Sequence, residues 1–189
     1  FSYISSSSSY NEVRQSTNSG VDWTTLRAEG GGGGECSGDA AMWSARYGMA
    51  YAYMPLRNRI LLAGGYGVGF KQDVWGSDDG GICWFLLTAD SDGAATSGYY
   101  GASLVVATLG GVEILVLAAG TDSRNNFLRN YLSSVYRSLD AGASWEVIGS
   151  SGSMWLRRAD SAMVYDPANK RLAIMGGYTP LGGRVNDFW

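Results

Sequence analysis

Short apolar stretches alternate with glycine-rich or polar punctuation along most of the chain, and no window of about a dozen residues sustains a helical period. Three alternating or apolar stretches are each followed by a strongly apolar run that ends in Gly-Gly or Ala-Gly. The pairs are 46–54 with 59–65, 101–109 with 112–120, and 160–165 with 171–177. Short strands rich in Val, Ile, Leu and Tyr with frequent glycine turns are typical of all-β proteins. The pattern therefore predicts an all-β fold.

The chain also contains a repeat of 61 residues, because segments 11–23, 72–84 and 133–145 align with one another. The spacing is the same at the aligned valines and tryptophans, which are Val13, Val74, Val135, Trp23, Trp84 and Trp145. If the strands of one unit are named a, b, c and d, the chain reads c-d, a-b-c-d, a-b-c-d and a-b-c. We therefore predict a single domain, 1–189, that begins and ends inside a unit. It contains strands c and d in 1–29, full units in 43–90 and 98–151, and strands a to c in 154–189.

Two segments match the pattern Ser-x-Asp-x-Gly-x-x-Trp, and a third keeps the spacing with Asn in place of Asp. The residues are Ser77, Asp79, Gly81 and Trp84, then Ser138, Asp140, Gly142 and Trp145, and finally Ser16, Asn18, Gly20 and Trp23. This pattern resembles the Asp-box (BNR repeat) hairpins of sialidase-like β-propellers. The Gly64-Gly65 and Gly176-Gly177 pairs, with Trp43-x-x-Arg46 and Trp155-x-x-Arg158, resemble kelch repeats of the galactose-oxidase-like type.

The resemblance implies a β-propeller of four-stranded antiparallel blades, with about three blades' worth of strands and a cut inside a blade at both ends. It also implies a structural role for the Asp-box residues. The carboxylate or amide accepts backbone N–H groups, the glycine takes a positive φ, and the tryptophan packs back over the hairpin. In the resembling families this hairpin lies at the outer edge of the blade, away from the catalytic face.

In such blades the b-c and d-a loops open on one face, where ligands usually bind. The b-c loops map to 66–70, 121–128 and 178–184, and the d-a loops to about 28–42, 90–100 and 149–154. The candidate ligand-face residues are Tyr66, Asp90, Asp92, Tyr99, Tyr100, Asp122, Arg124 and Tyr178. Six aromatic residues would stack sugars if their rings reached this face, but we expect most of them in the core: Trp43, Tyr47, Tyr51, Tyr53, Tyr99 and Tyr100.

The chain has no histidine, which excludes a Ser-His-Asp triad, a zincin site and a His-ligated copper site built from this chain alone. We predict no metal site and no cofactor. Sialidases use three arginines around a carboxylate, whereas only Arg46 and Arg158 stand at equivalent positions here. We expect each of them to pair with an aspartate of a neighbouring blade. A glycosidase with two carboxylates would draw on Asp90, Asp92 and Asp122, although loop aspartates more often form turns.

Cys36 and Cys83 allow either one disulfide or two buried thiols. A net charge of −3 lacks the basic excess that nucleic-acid binding requires. The apolar runs 60–63 and 112–119 are shorter than the ~20 residues of a membrane-spanning helix. Unpaired strand edges at both ends favour pairing with other copies or other chains.

These observations lead to three competing expectations. The first is a non-catalytic, extracellular or secreted propeller module for protein binding, glycan binding or structural assembly. Such a module is a fragment of a larger protein or a subunit that neighbouring chains complete. The alternative is part of a secreted sialidase-like or other glycan-processing enzyme whose catalytic residues lie outside this chain. An intracellular kelch adaptor is the third.

Overall fold

The computed structural model describes residues 10–29, 36, 42–90, 98–122, 130–149, 155–181 and 183–189 of the chain. These residues form strands and turns and contain no helix, which confirms the all-β prediction. In particular, none of them belongs to an apolar helix of the length that crossing a membrane requires.

The strands fall into four consecutive groups, which we call the first to fourth units. The first unit has β1 (Val13–Gln15) and β2 (Thr24–Arg27), and the second has β3 (Ala50–Met54), β4 (Arg59–Gly67), β5 (Gly69–Ser77) and β6 (Phe85–Thr88). The third has β7 (Ser103–Leu109), β8 (Val112–Ala118), β9 (Thr121–Asp122), β10 (Asn130–Tyr131), β11 (Val135–Ser138) and β12 (Glu146–Gly149). The fourth has β13 (Ala162–Asp166) and β14 (Arg171–Met175).

Two of the units are complete four-stranded antiparallel sheets, with the orders β3-β4-β5-β6 and β7-β8-β11-β12. The short pair β9-β10 continues the β8-β11 hairpin beyond Ala118. In the fourth unit the segment 184–189 lies beside β14, where Met175 bridges to Phe188 and Tyr178 bridges to Arg184. The strand order within each unit therefore follows the order a, b, c, d that the repeat predicts.

Neighbouring units pack side by side through the alternate residues of their strands. Ala50 and Met54 on β3, Leu61 on β4 and Leu104 on β7 belong to one buried cluster between the second and third units. A second cluster, which includes Val116 and Ile174, joins the third unit to the fourth. Burial of a side chain the size of Leu61 contributes about 1.5–3 kcal/mol to folding. The core therefore lies between the units.

An equivalent backbone hydrogen bond connects the second unit to the third and the third unit to the fourth. The Gly101 N–H donates to the Gly48 carbonyl at 2.9 Å, and the Asp160 N–H donates to the Gly101 carbonyl at 2.8 Å. These residues stand just before the first strand of their respective units. The repeated bond means that the second, third and fourth units follow one another with the same local geometry.

The expectation that most of the six aromatic residues lie in the core is wrong. Trp43 and Tyr99 are buried, but Tyr47, Tyr51 and Tyr53 are exposed. Strand β3 places Ala50, Ala52 and Met54 against the third unit, so its alternate residues Tyr51 and Tyr53 point to the opposite face of the sheet. The described part of the first unit leaves that face exposed.

Candidate ligand-binding site

Four aromatic side chains meet at the end of the sheets where the second unit contacts the third. We call Tyr47, Tyr66, Phe70 and Tyr100 the aromatic cluster. The ring centroids lie 4.9 Å apart for Tyr66 and Phe70, 5.6 Å for Tyr47 and Tyr100, and 5.7 Å for Tyr47 and Tyr66. All three contacts are edge-on, which is a favourable arrangement for aromatic rings.

The backbone positions these rings before their side chains touch. Tyr47 and Tyr66 exchange two backbone hydrogen bonds, both at 2.9 Å. Tyr66 pairs with Phe70 across the tight turn at Val68, so three of the rings come from adjoining backbone of one unit. Antiparallel pairing places directly opposed side chains on one face of the sheet.

The fourth ring, Tyr100, comes from the next unit and needs a glycine beneath it. Gly48 has a φ of 65°, and a Cβ atom at this position would overlap the Tyr100 ring. A side chain at Gly98 would similarly come within 2.6 Å of the Phe70 Cβ atom. Glycines at these two positions therefore allow the rings of two units to form one continuous surface.

A second aromatic pair occupies the corresponding place at the next interface. Tyr131 and Tyr178 have ring centroids 5.8 Å apart. Tyr178 exchanges backbone hydrogen bonds with Ala159, as Tyr66 does with Tyr47. Tyr131 pairs with Thr121 on the neighbouring strand, as Phe70 pairs with Tyr66. The aromatic cluster and this pair consequently lie at the same end of their units.

The structure brings three of the predicted ligand-face residues to this end, namely Tyr66, Tyr100 and Tyr178. Tyr99 is buried and contacts the Tyr136 ring at 5.5 Å, so it is not part of the exposed surface. Burial, and to a smaller degree the neighbouring Tyr136, raises the pKa of Tyr99 to about 12. This phenol is therefore neutral at physiological pH and acts as a packing residue.

Among the predicted acidic residues, the structure describes the side chain of Asp90. The Asp90 carboxylate accepts hydrogen bonds from the Lys71 ammonium and the Gln72 backbone N–H, both at 2.8 Å, and so ties the chain after β6 to β5. Asp122 contributes its backbone to the β9-β10 pair. Asp92 and Arg124 lie outside the described residues.

The candidate ligand-face residues omit two members of the aromatic cluster, although Tyr47 is one of the six aromatic residues considered for sugar stacking and Phe70 ends the 66–70 loop. Tyr47 aligns with Tyr100 relative to the first strand of each unit, and that alignment is the signal that would have identified it. Phe70 closes the predicted 66–70 loop opposite Tyr66, which makes it the natural partner of Tyr66 in a hairpin.

The three Asp-box hairpins share one hydrogen-bond pattern. Each serine hydroxyl donates to the Asp or Asn side chain and accepts the glycine N–H, as for Ser77, Asp79 and Gly81 at 2.8 and 2.9 Å. The corresponding distances are 2.9 and 2.8 Å for Ser16, Asn18 and Gly20, and 2.8 Å for both bonds of Ser138, Asp140 and Gly142. Hydrogen bonds from Ser144 and Ser138 hold the pKa of the Asp140 carboxyl below its ordinary value. These side chains are occupied in building turns.

Arg46 and Arg158 make the same set of contacts in the second and fourth units. The Arg46 guanidinium is buried, forms two hydrogen bonds to the Asp73 carboxylate and donates to the Gly64 carbonyl at 3.0 Å. Arg158 pairs in the same way with Asp187, at 2.6 and 2.8 Å.

The expectation that these arginines pair with a neighbouring blade is therefore wrong, because Asp73 and Asp187 belong to the arginine's own unit. The arginine precedes the first strand of its unit. It donates to a glycine carbonyl that follows the apolar run of the second strand, and to the aspartate next to it on the third strand. In the third unit, Tyr99 stands at the position of Arg46 and Ser134 at the position of Asp73. Both guanidinium groups are thus engaged by internal partners.

Cys36 and Cys83 form a disulfide, which decides between the two sequence alternatives. The bond attaches residue 36 to the Asp-box hairpin of the second unit. Nearby, Arg27 donates to the Ile82 carbonyl at 3.0 Å and so links the first unit to the same hairpin. Within the described ranges, no three His, Cys, Asp or Glu side chains cluster closely enough to hold a metal ion.

No model of a protein family and no curated protein matches this chain. Among solved structures it is similar to YjhT, with a TM-score of 0.64 and 19% sequence identity. The similarity covers 94% of this chain and 48% of the YjhT chain, so the chain spans about half the length of that protein. At this identity the likeness shows a shared fold.

Proposed function

We propose that the chain is part of an extracellular β-propeller that acts as a non-catalytic binding module, and that the aromatic cluster binds glycans. The units support the propeller interpretation, since their four-stranded antiparallel sheets pack side by side with a repeated inter-unit hydrogen bond. The Asp-box and kelch-like patterns recur at the same positions in successive units.

The observation that carries the ligand proposal is the exposed aromatic cluster. The Tyr47 side chain is 51% exposed, and its ring is held edge-on by Tyr66 and Tyr100. A pyranose presents a face of C–H groups that stacks on such a ring, while tyrosine hydroxyls exchange hydrogen bonds with the sugar hydroxyls. Because neighbouring rings and the glycine backbone hold the cluster in place, little side-chain entropy is lost on binding.

The extracellular location draws support from the Cys36–Cys83 disulfide, since such bonds persist mainly in oxidising compartments. The absence of catalysis draws support from the buried arginines. Arg46 and Arg158 are paired with Asp73 and Asp187, so neither guanidinium is available for a substrate carboxylate. Glycoside hydrolysis needs two carboxyl groups about 5–10 Å apart across the scissile bond, and Asp90 is engaged by Lys71 and Gln72.

The alternative is a glycan-processing enzyme whose catalytic residues are supplied from outside this chain. It is favoured by one observation, namely that the chain spans about half the length of the YjhT chain it resembles. In that case the aromatic cluster serves as a subsite that holds the glycan near the chemistry.

The test compares two exposed tyrosines on a panel of immobilised glycans. Tyr47→Ala removes the accessible ring of the cluster, whereas the control Tyr51→Ala removes a ring that is 77% exposed on the far face of β3. Loss of one stacking contact of about 1–1.5 kcal/mol weakens binding roughly tenfold, so Tyr47→Ala should show that loss and Tyr51→Ala should bind as the unaltered chain.

Equal binding by the two variants, or no binding of any glycan by the unaltered chain, contradicts the proposal. Release of a shortened or altered glycan during the assay favours the enzyme alternative. A melting temperature measured for each variant identifies any loss of binding that comes from unfolding.

A further inference from the structure

An apolar cavity of about 270 Å³ lies between the third and fourth units. Its walls include Val116, Val135 and Ile148 from the third unit and Trp155, Leu172 and Trp189 from the fourth. An opening of this size lined by aliphatic and aromatic side chains leaves apolar surface without a packing partner. The two other interfaces between units show what fills the equivalent position there.

Between the second and third units, the corresponding place is filled by the turn of the third unit's Asp-box hairpin, residues 138–145. A Cβ atom built on Gly142 would lie 3.2 Å from Leu61, 3.3 Å from Leu87 and 3.4 Å from Val74. The preceding residue, Ala141, is buried in the same core cluster as Leu61 and Val74. The turn of one unit thus packs against side chains on three strands of the unit before it.

Three residues in the wall of the cavity stand at the same strand positions as the three residues around Gly142. We call this set of positions the socket. Val135 pairs with Ala118 on the neighbouring strand as Val74 pairs with Ala63, and the two hairpins are offset by the 61-residue repeat. By this register, Val116, Val135 and Ile148 occupy the positions of Leu61, Val74 and Leu87. The cavity therefore repeats three walls of a socket that is occupied one unit earlier.

The interface between the first and second units obeys the same rule. A Cβ atom built on Gly81, in the Asp-box of the second unit, would lie 3.3 Å from Val13 and 3.8 Å from Leu26. Val13 and Leu26 precede Val74 and Leu87 by one repeat. Two of these three interfaces consequently hold a glycine of the following unit's Asp-box in the socket, and the third has the cavity.

We propose that this cavity is a docking site for the turn of an Asp-box hairpin that continues the strand ending at Trp189. Trp189 stands at the position of Trp75. Each tryptophan lies two residues after the aspartate that pairs with the buried arginine. Each also donates its indole N–H to that aspartate at 2.8 Å. The Asp-box serine Ser77 lies two residues beyond Trp75, so a following hairpin would reach the socket directly.

The filled sockets also define the chemistry of the occupant. Both hold a glycine with positive φ, 98° for Gly81 and 94° for Gly142. A residue without a side chain brings the backbone into a narrow apolar space that a larger side chain does not enter.

The first hairpin of a second copy does not fit this site as it stands. Its strand β1 would need the place beside β14 that residues 184–189 already occupy, because both are third strands of their units. The site therefore fits a hairpin that continues residues 184–189 better than the first hairpin of a second copy. The docking of this hairpin concerns packing between units and does not rest on the proposed glycan binding.

The experiment appends a copy of residues 137–149 after Trp189, which places a cysteine-free Asp-box hairpin in register with the socket. The matched control carries the same extension with Gly142→Val in the appended copy, because a β-branched residue disfavours the positive φ and overfills the socket. We expect the extension to melt about 4 °C or more above the control. Backbone amides of Ala173–Met175 should also exchange more slowly with solvent only in the matching extension.

Equal melting temperatures and equal amide exchange for the two extended chains overturn the proposal. It is also overturned if the unextended chain dimerises in a concentration-dependent way that Leu172→Asp abolishes, since a second copy is then the occupant. Light scattering of the unextended chain and of this variant measures that outcome directly.

Discussion

At the residue scale, the tryptophan of the Asp-box hairpin contributes differently to stability depending on how deeply it is buried. The indoles of Trp23 and Trp84 each close their hairpin by donating to a glycine carbonyl, at 3.0 Å and 2.9 Å. Trp84 is only 5% exposed and contacts the Trp43 ring at 4.5 Å, whereas Trp23 is 58% exposed. Local hydrogen bonding is thus common to both, and burial distinguishes them.

We therefore expect Trp84→Ala to lower the free energy of unfolding by about 3–5 kcal/mol, because it leaves a large cavity beside Trp43. Trp23→Ala should cost about 1 kcal/mol or less, since little buried surface is lost. Urea denaturation of the two variants measures both values. Equal losses would contradict the assignment of Trp84 to the core.

At the element scale, a buried arginine joins the first, second and third strands of a unit. In the second unit, Arg46 binds the Asp73 carboxylate, the Gly64 carbonyl and the Ser44 carbonyl, and Asp73 in turn accepts the Trp75 indole N–H at 2.8 Å. The third unit has Tyr99 and Ser134 in the corresponding places and still forms a four-stranded sheet, so the sheet does not depend on the ion pair itself. Once Asp73 is buried, however, it needs a cationic partner.

Arg46→Leu should consequently destabilise the protein by about 3–5 kcal/mol, because it leaves a buried carboxylate without its counter-charge. The matched control is Arg171→Leu, which removes the pair of the exposed Arg171 side chain with Asp166 and should cost about 1 kcal/mol or less. Thermal unfolding of both variants at one pH provides the comparison. A loss of the same size for Arg171 would argue that charge alone, and not burial, sets the effect.

At the scale of the whole molecule, long-range links hold the early part of the chain to the second unit. The Cys36–Cys83 disulfide spans 47 residues, and the Arg27 hydrogen bond to Ile82 connects the same regions. A cross-link over such a separation reduces the entropy of the unfolded chain. The described part of the first unit has only β1 and β2 to bury, so its attachment depends strongly on such links.

The double variant Cys36→Ser/Cys83→Ser should lower the free energy of unfolding by about 2–4 kcal/mol. Amide exchange measured by mass spectrometry should show the largest gain in β1 and β2, with smaller changes in β7 and β8. An unchanged stability, or a uniform gain in exchange across all units, would contradict this attachment role.

The sequence by itself determined the all-β class, the 61-residue repeat, the order of strands in each unit and the hydrogen-bonded Asp-box turns. These features are local, because strand alternation and turn chemistry depend on residues that are close along the chain. The position of Tyr66 beside Phe70 follows from the same local hairpin geometry. For this reason part of the candidate site was visible in advance.

Only the tertiary structure decided which side chains are covered, since coverage depends on the neighbouring unit. It buried Tyr99, exposed Tyr47 and assigned Asp73 to Arg46 within one unit. It also left an apolar cavity between the third and fourth units. Tyr47 and Tyr99 both lie shortly before the first strand of their units, yet one is exposed and the other buried, because the contacts that cover each are made far away in sequence.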